Sequence, residues 1–333
     1  MDYEIYHSPF TWRYGGSQMR YIWSEVNKRR LWRRLWVAMA EVQAEFGLVQ
    51  KEQLEDLRAH WDDIDVPRAL QIEAEIHHDL MAEIKVFAGQ ATKAGGILHL
   101  GATSADIKDN TDVLQLRQSL DLLLVELRSV LLTFSDLIDR WAETPLIGFT
   151  HLQPAEPSTL GYRFAQYAQD LLEDWQNIAK QRQALRGKGF KGAVGTMASF
   201  AELVGAQYLA RFESRLSEIL DLEFYPVTTQ VYPRKQDYLV ISALAGLGGS
   251  LYRFSFDLRL LQAPTVGELG EPMGTKQISS SAMPFKQNPV YAEKISSLGR
   301  ALAQMPGLAW DNAAHSLLER TLDDSANRRF MLP

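Results

Sequence analysis

The stretch LDLLLVELRSVLLTFSDLIDRW, residues 120–141, places apolar side chains at Leu120, Leu123, Leu124, Leu127, Val130, Leu131, Phe134, Leu137, Ile138 and Trp141. Steps of three and four residues return a side chain to the same side of a helix, so the spacing predicts a long helix with one broad buried face. The period continues on either side. Past Pro157 it runs through Leu160, Phe164, Tyr167, Leu171, Trp175 and Ile178. Further segments run from Phe200 to Leu220, from Asp237 to Leu261, and onward from Pro289. Each is about twenty residues or longer by this pattern. Alternating, strand-like stretches are scarce, so the fold class expected is all-α, built on a bundle of long helices.

The first hundred residues read differently. Their helices are shorter, as at Lys28 to Phe46 and Ile72 to Thr92, and Gly95, Gly96 and Gly101 then break the pattern. A boundary is expected near there, with a small N-terminal helical domain over 1–100 and the long-helix bundle over 101–333. Between helices lie polar segments bearing glycine and proline: Gly101 to Asp112, Thr150 to Thr159, Gly187 to Ser199, Pro226 to Asp237 and Thr265 to Pro289. Segments at the ends of bundle helices are natural places for a site.

Bulk composition narrows the function. A net charge of -6 with no run of like charge argues against a nucleic-acid partner. With no cysteine, disulfides, thiolate metal sites and cysteine nucleophiles are excluded, which fits a reducing cytoplasm. Met1 to Thr11 has no apolar signal-peptide core. The longest uncharged stretch, Tyr238 to Tyr252, reads as too short and too glycine-bearing to span a bilayer, so no membrane association is expected.

The chemistry-bearing residues lie in the inter-helical segments. Between Ser279 and Pro289 fall three serines, Lys286 and Asn288, stiffened by Pro284 and Pro289 and preceded by Gly267, Gly270 and Gly274. Such a loop presents hydroxyls, backbone N–H groups and a cation to an anion, although a solvated flexible loop has the same composition. His151 lies near a helix boundary, where an imidazole serves as general acid or base or as a plain structural donor. His77-His78-Asp79 is either a charge-coupled cluster or an exposed face. Gly101 to Asp106 combines small residues with Thr103 and Ser104 at a helix start, a place for anion binding or for simple capping. Gly189 to Gly195 matches no phosphate-binding fingerprint. Arg320 to Arg329 is a solvated charged segment or a set of anion ligands. No zinc spacing is present, and no metal or cofactor is expected.

Taken together, Ser280-Ser281-Ala282-Met283-Pro284-Phe285-Lys286-Gln287-Asn288-Pro289 resembles the signature of the fumarase/aspartase superfamily, usually Gly-Ser-Ser-x-Met-Pro-x-Lys-x-Asn. The other segments recur in that family's order over nearly the whole chain. Arg13-Tyr14 with Met19, His78-Asp79 and the stretch Glu319 to Arg329 resemble its adenylosuccinate lyase branch, and Thr150 to Pro154 and Thr229-Gln230 with Arg234-Lys235 complete the match.

The resemblance implies β-elimination of fumarate from a succinylated purine nucleotide: from adenylosuccinate, giving AMP, and from succinylaminoimidazole carboxamide ribotide, giving AICAR. A base removes the proton beside one carboxylate, the charge collects there as an aci-carboxylate, and an acid protonates the departing nitrogen. By resemblance Ser280 is the base, helped by backbone N–H groups and Lys286, His151 is the acid, and Glu293 orients it. Lys286 and Asn288 hold the succinyl carboxylates with Thr103, Ser104 and Gln230. Arg13, Tyr14, Arg234, Arg320, Ser325 and Arg329 hold the nucleotide and its phosphate, with His78 and Asp79 near the leaving group or phosphate. The family forms homotetramers whose sites draw on several subunits around a shared core of long helices.

Departures stand beside the match. Ser279 occupies the usual glycine position and is expected to stiffen the loop; His77 stands where the family commonly has arginine. The chain stops at Pro333, so a truncated bundle and an absent third, C-terminal domain are expected. Alternative readings are another superfamily member, such as an argininosuccinate lyase or carboxymuconate cycloisomerase, or a non-catalytic structural homologue.

Overall fold

Residues 4–278 and 280–333 are described by the computed structural model; Ser279, and its expected effect on the loop, lie outside them. Helices dominate: α1 (Ser17–Ile22), α2 (Glu25–Glu45), α3 (Lys51–His60), α4 (Val66–Ile76), α5 (Asp79–Gln90), α6 (Ser104–Arg140), α7 (Leu160–Ala184), α8 (Ala198–Val204), α9 (Leu209–Leu220), α10 (Lys235–Leu261), α11 (Val290–Leu302) and α12 (Met305–Ala314). The fold is all-α apart from one hairpin, β1 (Pro145–Thr150) and β2 (Gln153–Thr159). Contacts group the chain into two units. The first holds the chain up to Leu122 with Ala184–Arg234 and His315–Pro333; the second holds Leu123–Gln183 and Lys235–Ala314. Residue 100, the boundary expected from the glycines, falls inside the first unit.

In the first unit α2 supplies the core. Ser24 caps it by accepting from the Asn27 N–H at 3.2 Å. Leu31, Trp32, Leu35, Trp36, Met39 and Val42 form its buried stripe, and α3 and α9 pack against the helix. Leu35→Ala, at a fully buried position, is worth about 2–5 kcal/mol. The same helix buries Arg29 and Arg33 against Glu83 of α5, at 3.2 Å and 2.6 Å. Burial pushes the Glu83 carboxyl up, and the two guanidinium groups offset that only in part. The span read as one helix from Ile72 to Thr92 is broken. His77 turns left-handed (φ 54°) and ends α4, and His78 starts α5 by accepting from the Met81 N–H on its Nδ1 at 3.2 Å. Gly205 (φ 91°) likewise divides the segment read as Phe200 to Leu220 into α8 and α9.

In the second unit Phe134, Phe164, Tyr167 and Phe254 meet edge to face, with Tyr167 and Phe254 centroids 5.2 Å apart. Helix α10 packs against α11 and α12. A Cβ at Gly299 would lie 2.9 Å from the Gly248 carbonyl oxygen, so glycine at that position lets α11 press against α10. The uncharged stretch 238–252 lies inside α10, the one helix among the described residues long and apolar enough to cross a membrane by length and composition alone. Core helices of soluble bundles pass the same test. Of the apolar face expected over 120–141, only Leu120, Leu127 and Phe134 are fully buried. Val130, Leu132 and Trp141 stay 39%, 58% and 38% exposed, so this chain alone leaves much of that helix uncovered.

Candidate active site

The candidate residues fall into two groups, one in each unit. In the first, the polar segments expected to matter converge on the start of α6. Asp106, fully buried, accepts from the Thr103 N–H (2.8 Å), the Lys191 N–H (3.0 Å) and the Gly192 N–H (3.2 Å), and takes the Lys188 ammonium as a salt bridge. One carboxylate therefore fixes both Thr103 and the glycine segment. At Gly195 (φ 85°) a Cβ would come within 2.0 Å of the Thr228 carbonyl oxygen, so glycine is required for that backbone to lie against the strand of chain leading to Gln230. Asp109, one turn on, is also fully buried. It accepts from the Tyr232 N–H at 3.0 Å and faces Arg234 at 3.2 Å and Arg328 at 2.5 Å. Burial pushes its carboxyl up, but the two arginines and the Tyr232 N–H outweigh that and hold it below the usual range. Arg328 also pairs with Asp112 at 2.7 Å, and Arg234 with Asp324 at 2.5 Å.

This network sets the 319–329 segment against α6 and leaves a cleft of about 670 Å³ lined by Glu73, His77, His78, Asp79, Ser104, Lys108, Gln230, Arg320, Arg328 and Arg329. An adjoining cleft of about 480 Å³ shares Asp79, Lys108, Arg320, Arg328 and Arg329 and adds Ser325. Six sequence-picked residues, His78, Asp79, Ser104, Gln230, Arg320 and Arg329, thus line one space, and Ser325 lines its neighbour. Arg234 is 8% exposed and engaged by carboxylates on both sides, so its side chain braces the cleft rather than lining it. Arg13 and Tyr14 line neither cleft. They lie on an exposed turn, Phe10–Tyr14, where Arg13 stacks on Trp12 at 4.5 Å.

Asp79 and Lys108 meet at 2.5 Å. Burial raises the Asp79 carboxyl, yet the Lys108 charge, the Leu80 N–H and His78 bring it below the ordinary value. Burial depresses the Lys108 ammonium, and Asp79 only partly restores it. Because His78 Nδ1 accepts the cap hydrogen bond, the neutral ring carries its proton on Nε2.

The second group lies in the second unit. His151 and Leu152 form the two-residue tip of the hairpin, both with positive φ (53° and 58°). Glycine or asparagine is the usual choice there, so a histidine and a leucine store local strain, a feature that gathers at functional sites. His151 is exposed at this tip. Ser280 Oγ accepts from the Met283 N–H at 3.1 Å, and the Lys286 N–H donates to the Met283 carbonyl at 3.0 Å, so two successive turns meeting at Met283 link the serine to the lysine. Lys286 is exposed and Asn288 half-buried, and Glu293 lies in the first turn of α11.

Two residues that hold this loop were not foreseen. Gln262 donates to the Gln287 carbonyl at 3.0 Å and accepts from the Glu271 N–H at 2.9 Å. Glu271 in turn caps α11, accepting from the Tyr291 and Ala292 N–H groups at 3.1 Å and 2.5 Å. The carboxylate-to-helix distance in sequence, about twenty residues, leaves no local capping signal to find. Among the described residues no cluster of three or more histidine and acidic side chains is placed to hold a metal ion.

Residues 16–303 match the family described as Lyase. An adenylosuccinate lyase of Schistosoma mansoni is 38% identical over 100% of this chain and 70% of its own length. One of Saccharomyces cerevisiae is 36% identical with the same coverage, and one of Pyrococcus horikoshii 34% identical over 98% of this chain and 71% of its own. Among solved structures, the 3-carboxy-cis,cis-muconate lactonizing enzyme of Pseudomonas putida superposes with a TM-score of 0.84 at 27% identity, over 97% of this chain and 72% of that one. The chain belongs to the adenylosuccinate lyase family of the fumarase/aspartase superfamily.

Proposed function

We propose that this chain is a carbon–nitrogen lyase that eliminates fumarate from adenylosuccinate, giving AMP, and from succinylaminoimidazole carboxamide ribotide, giving AICAR. The observation that carries the reading is the cationic cleft of the first unit, where Arg320, Arg329 and His78 face the same space as Ser104 and Gln230. A nucleotide phosphate and a succinyl group both need such donors, and a non-phosphorylated substrate would leave the arginines without use. Ser280 takes the proton from the carbon beside one succinyl carboxylate. Lys286 and Asn288, with Thr103, Ser104 and Gln230, hold the carboxylates where the charge develops, the interaction that matters most for rate. His151 gives its proton to the departing nitrogen as the carbon–nitrogen bond breaks, and Glu293 orients that ring. Arg320, Ser325 and Arg329, with Arg13 and Tyr14, hold the nucleotide and its phosphate.

The chain assembles as a homotetramer with shared sites and works in the cytoplasm, without membrane or nucleic-acid partners. The uncovered apolar positions on α6, α7 and α10 support assembly: Val125, Leu132, Leu172, Leu239 and Phe256 are each at least 42% exposed in the single chain. The absence of cysteine suits a reducing compartment. Fumarate release from adenylosuccinate, with argininosuccinate in parallel, tests the substrate class. Release from adenylosuccinate alone is expected; release from argininosuccinate alone would assign the chain to another branch.

A further inference from the structure

We propose that Lys108 is a further phosphate-binding residue of the cleft, a cation that Asp79 holds in place until the phosphate monoester of the substrate arrives. The inference rests on the reading above that the cleft takes a nucleotide monophosphate. Lys108 stands four residues after Ser104 on α6, so the two side chains lie on one face of that helix. It lines both the cleft that contains Ser104 and Gln230 and the adjoining one that contains Ser325. Its ammonium is fixed 2.5 Å from Asp79, yet the side chain keeps 19% exposure toward the cleft.

The other cations there differ in what they have to give. Arg328 is committed to two buried carboxylates, Asp109 and Asp112, so its charge is balanced from beneath. Arg320 lies 3.8 Å from Asp324. Arg329 is exposed, and Lys108 makes its ion pair with Asp79, with Asp112 acting on it only from farther off. A phosphate dianion near Arg320 and Arg329 therefore finds in Lys108 the next cation whose charge is not already cancelled twice. An ammonium has three N–H donors, so it can keep one on Asp79 and turn another to a phosphate oxygen. Burial lowers the ammonium's proton affinity, and an arriving dianion would raise it again, which makes binding and protonation mutually supporting. The plainer alternative is that Lys108 only ties the start of α5 to α6.

Lys108→Gln, Lys108→Arg and the unaltered protein separate the two. Michaelis parameters for adenylosuccinate, competitive inhibition by inorganic phosphate, and the melting midpoint with and without inorganic phosphate are measured on each. Lys108→Gln is expected to raise KM about tenfold with kcat within about threefold, and to weaken phosphate inhibition by a similar factor, as loss of one charge-assisted contact made in ground and transition states alike. Lys108→Arg is expected to recover most of the loss. Lys108→Met carries the same test if the glutamine variant does not fold. Unchanged KM and unchanged phosphate inhibition, with only a lower melting midpoint, would overturn the proposal and leave Lys108 a strut. If the unaltered protein shows no turnover, the functional reading fails separately. The phosphate-dependent rise in melting midpoint then decides Lys108: its loss in Lys108→Gln supports the proposal, and its persistence or its absence from the unaltered protein defeats it.

Discussion

Asp79 opens α5 with its carboxylate on the Leu80 N–H at 2.7 Å and on Lys108 at 2.5 Å. A carboxyl held below its unfolded value adds stability that is fully present above the ordinary pKa, 3.8 here, and is lost as pH falls through the folded value. Asp79→Asn is therefore expected to lower stability at neutral pH by about 1 kcal/mol or less, since the pair is partly solvated. The gap between the two proteins should close as pH drops below 3.8. Urea midpoints measured across that range check it; a gap constant with pH would mean that the charge of Asp79 is not what stabilises the fold.

At the scale of elements, Glu271 joins the serine loop to α11, two backbone N–H groups resting on one carboxylate. Glu271→Ala is expected to cost about 1 kcal/mol of stability, as for other helix caps. It should also open the loop to limited proteolysis and lower kcat; unaltered cleavage and turnover would show that the cap does not order the loop. Part of the element layout was legible: the helical period gave α10 to within two residues and the start of α7, whereas α6 begins at Ser104, well before Leu120, because its first turns are the polar stretch read as an inter-helical segment. The breaks were less so. Nothing in the apolar spacing from Ile72 to Thr92 marks the left-handed turn at His77, which a histidine side chain takes over by capping the next helix. The hairpin under His151 escaped because its turn residues are histidine and leucine, against the usual glycine or asparagine. The serine loop, the His-Asp pair and the arginine segment were legible as motifs, whereas Lys108, Asp109, Gln262 and Glu271 act through contacts distant in sequence.

For the whole molecule, the expected apolar face over 120–141 and the burial in one chain differ in an informative way. Full burial at Leu120, Leu127 and Phe134 follows a seven-residue step and leaves the flanking leucines and valines for other helices. The exposure of His151 and Lys286, the proposed acid and carboxylate ligand, is what a site completed by neighbouring chains would require. Mixing His151→Ala with Ser280→Ala, each inactive alone, is expected to restore part of the turnover once subunits exchange. Exchange confirmed by mass spectrometry without any recovery would argue that each chain keeps its own base and acid together.

The central claim is tested most directly by fumarate release from adenylosuccinate by the unaltered protein and by Ser280→Ala. The account predicts steady release by the former and a loss of about 10³-fold or more in the latter with substrate binding retained, as for removal of a proton-transfer group. Near-normal turnover in Ser280→Ala, or no release by the unaltered protein, would contradict it.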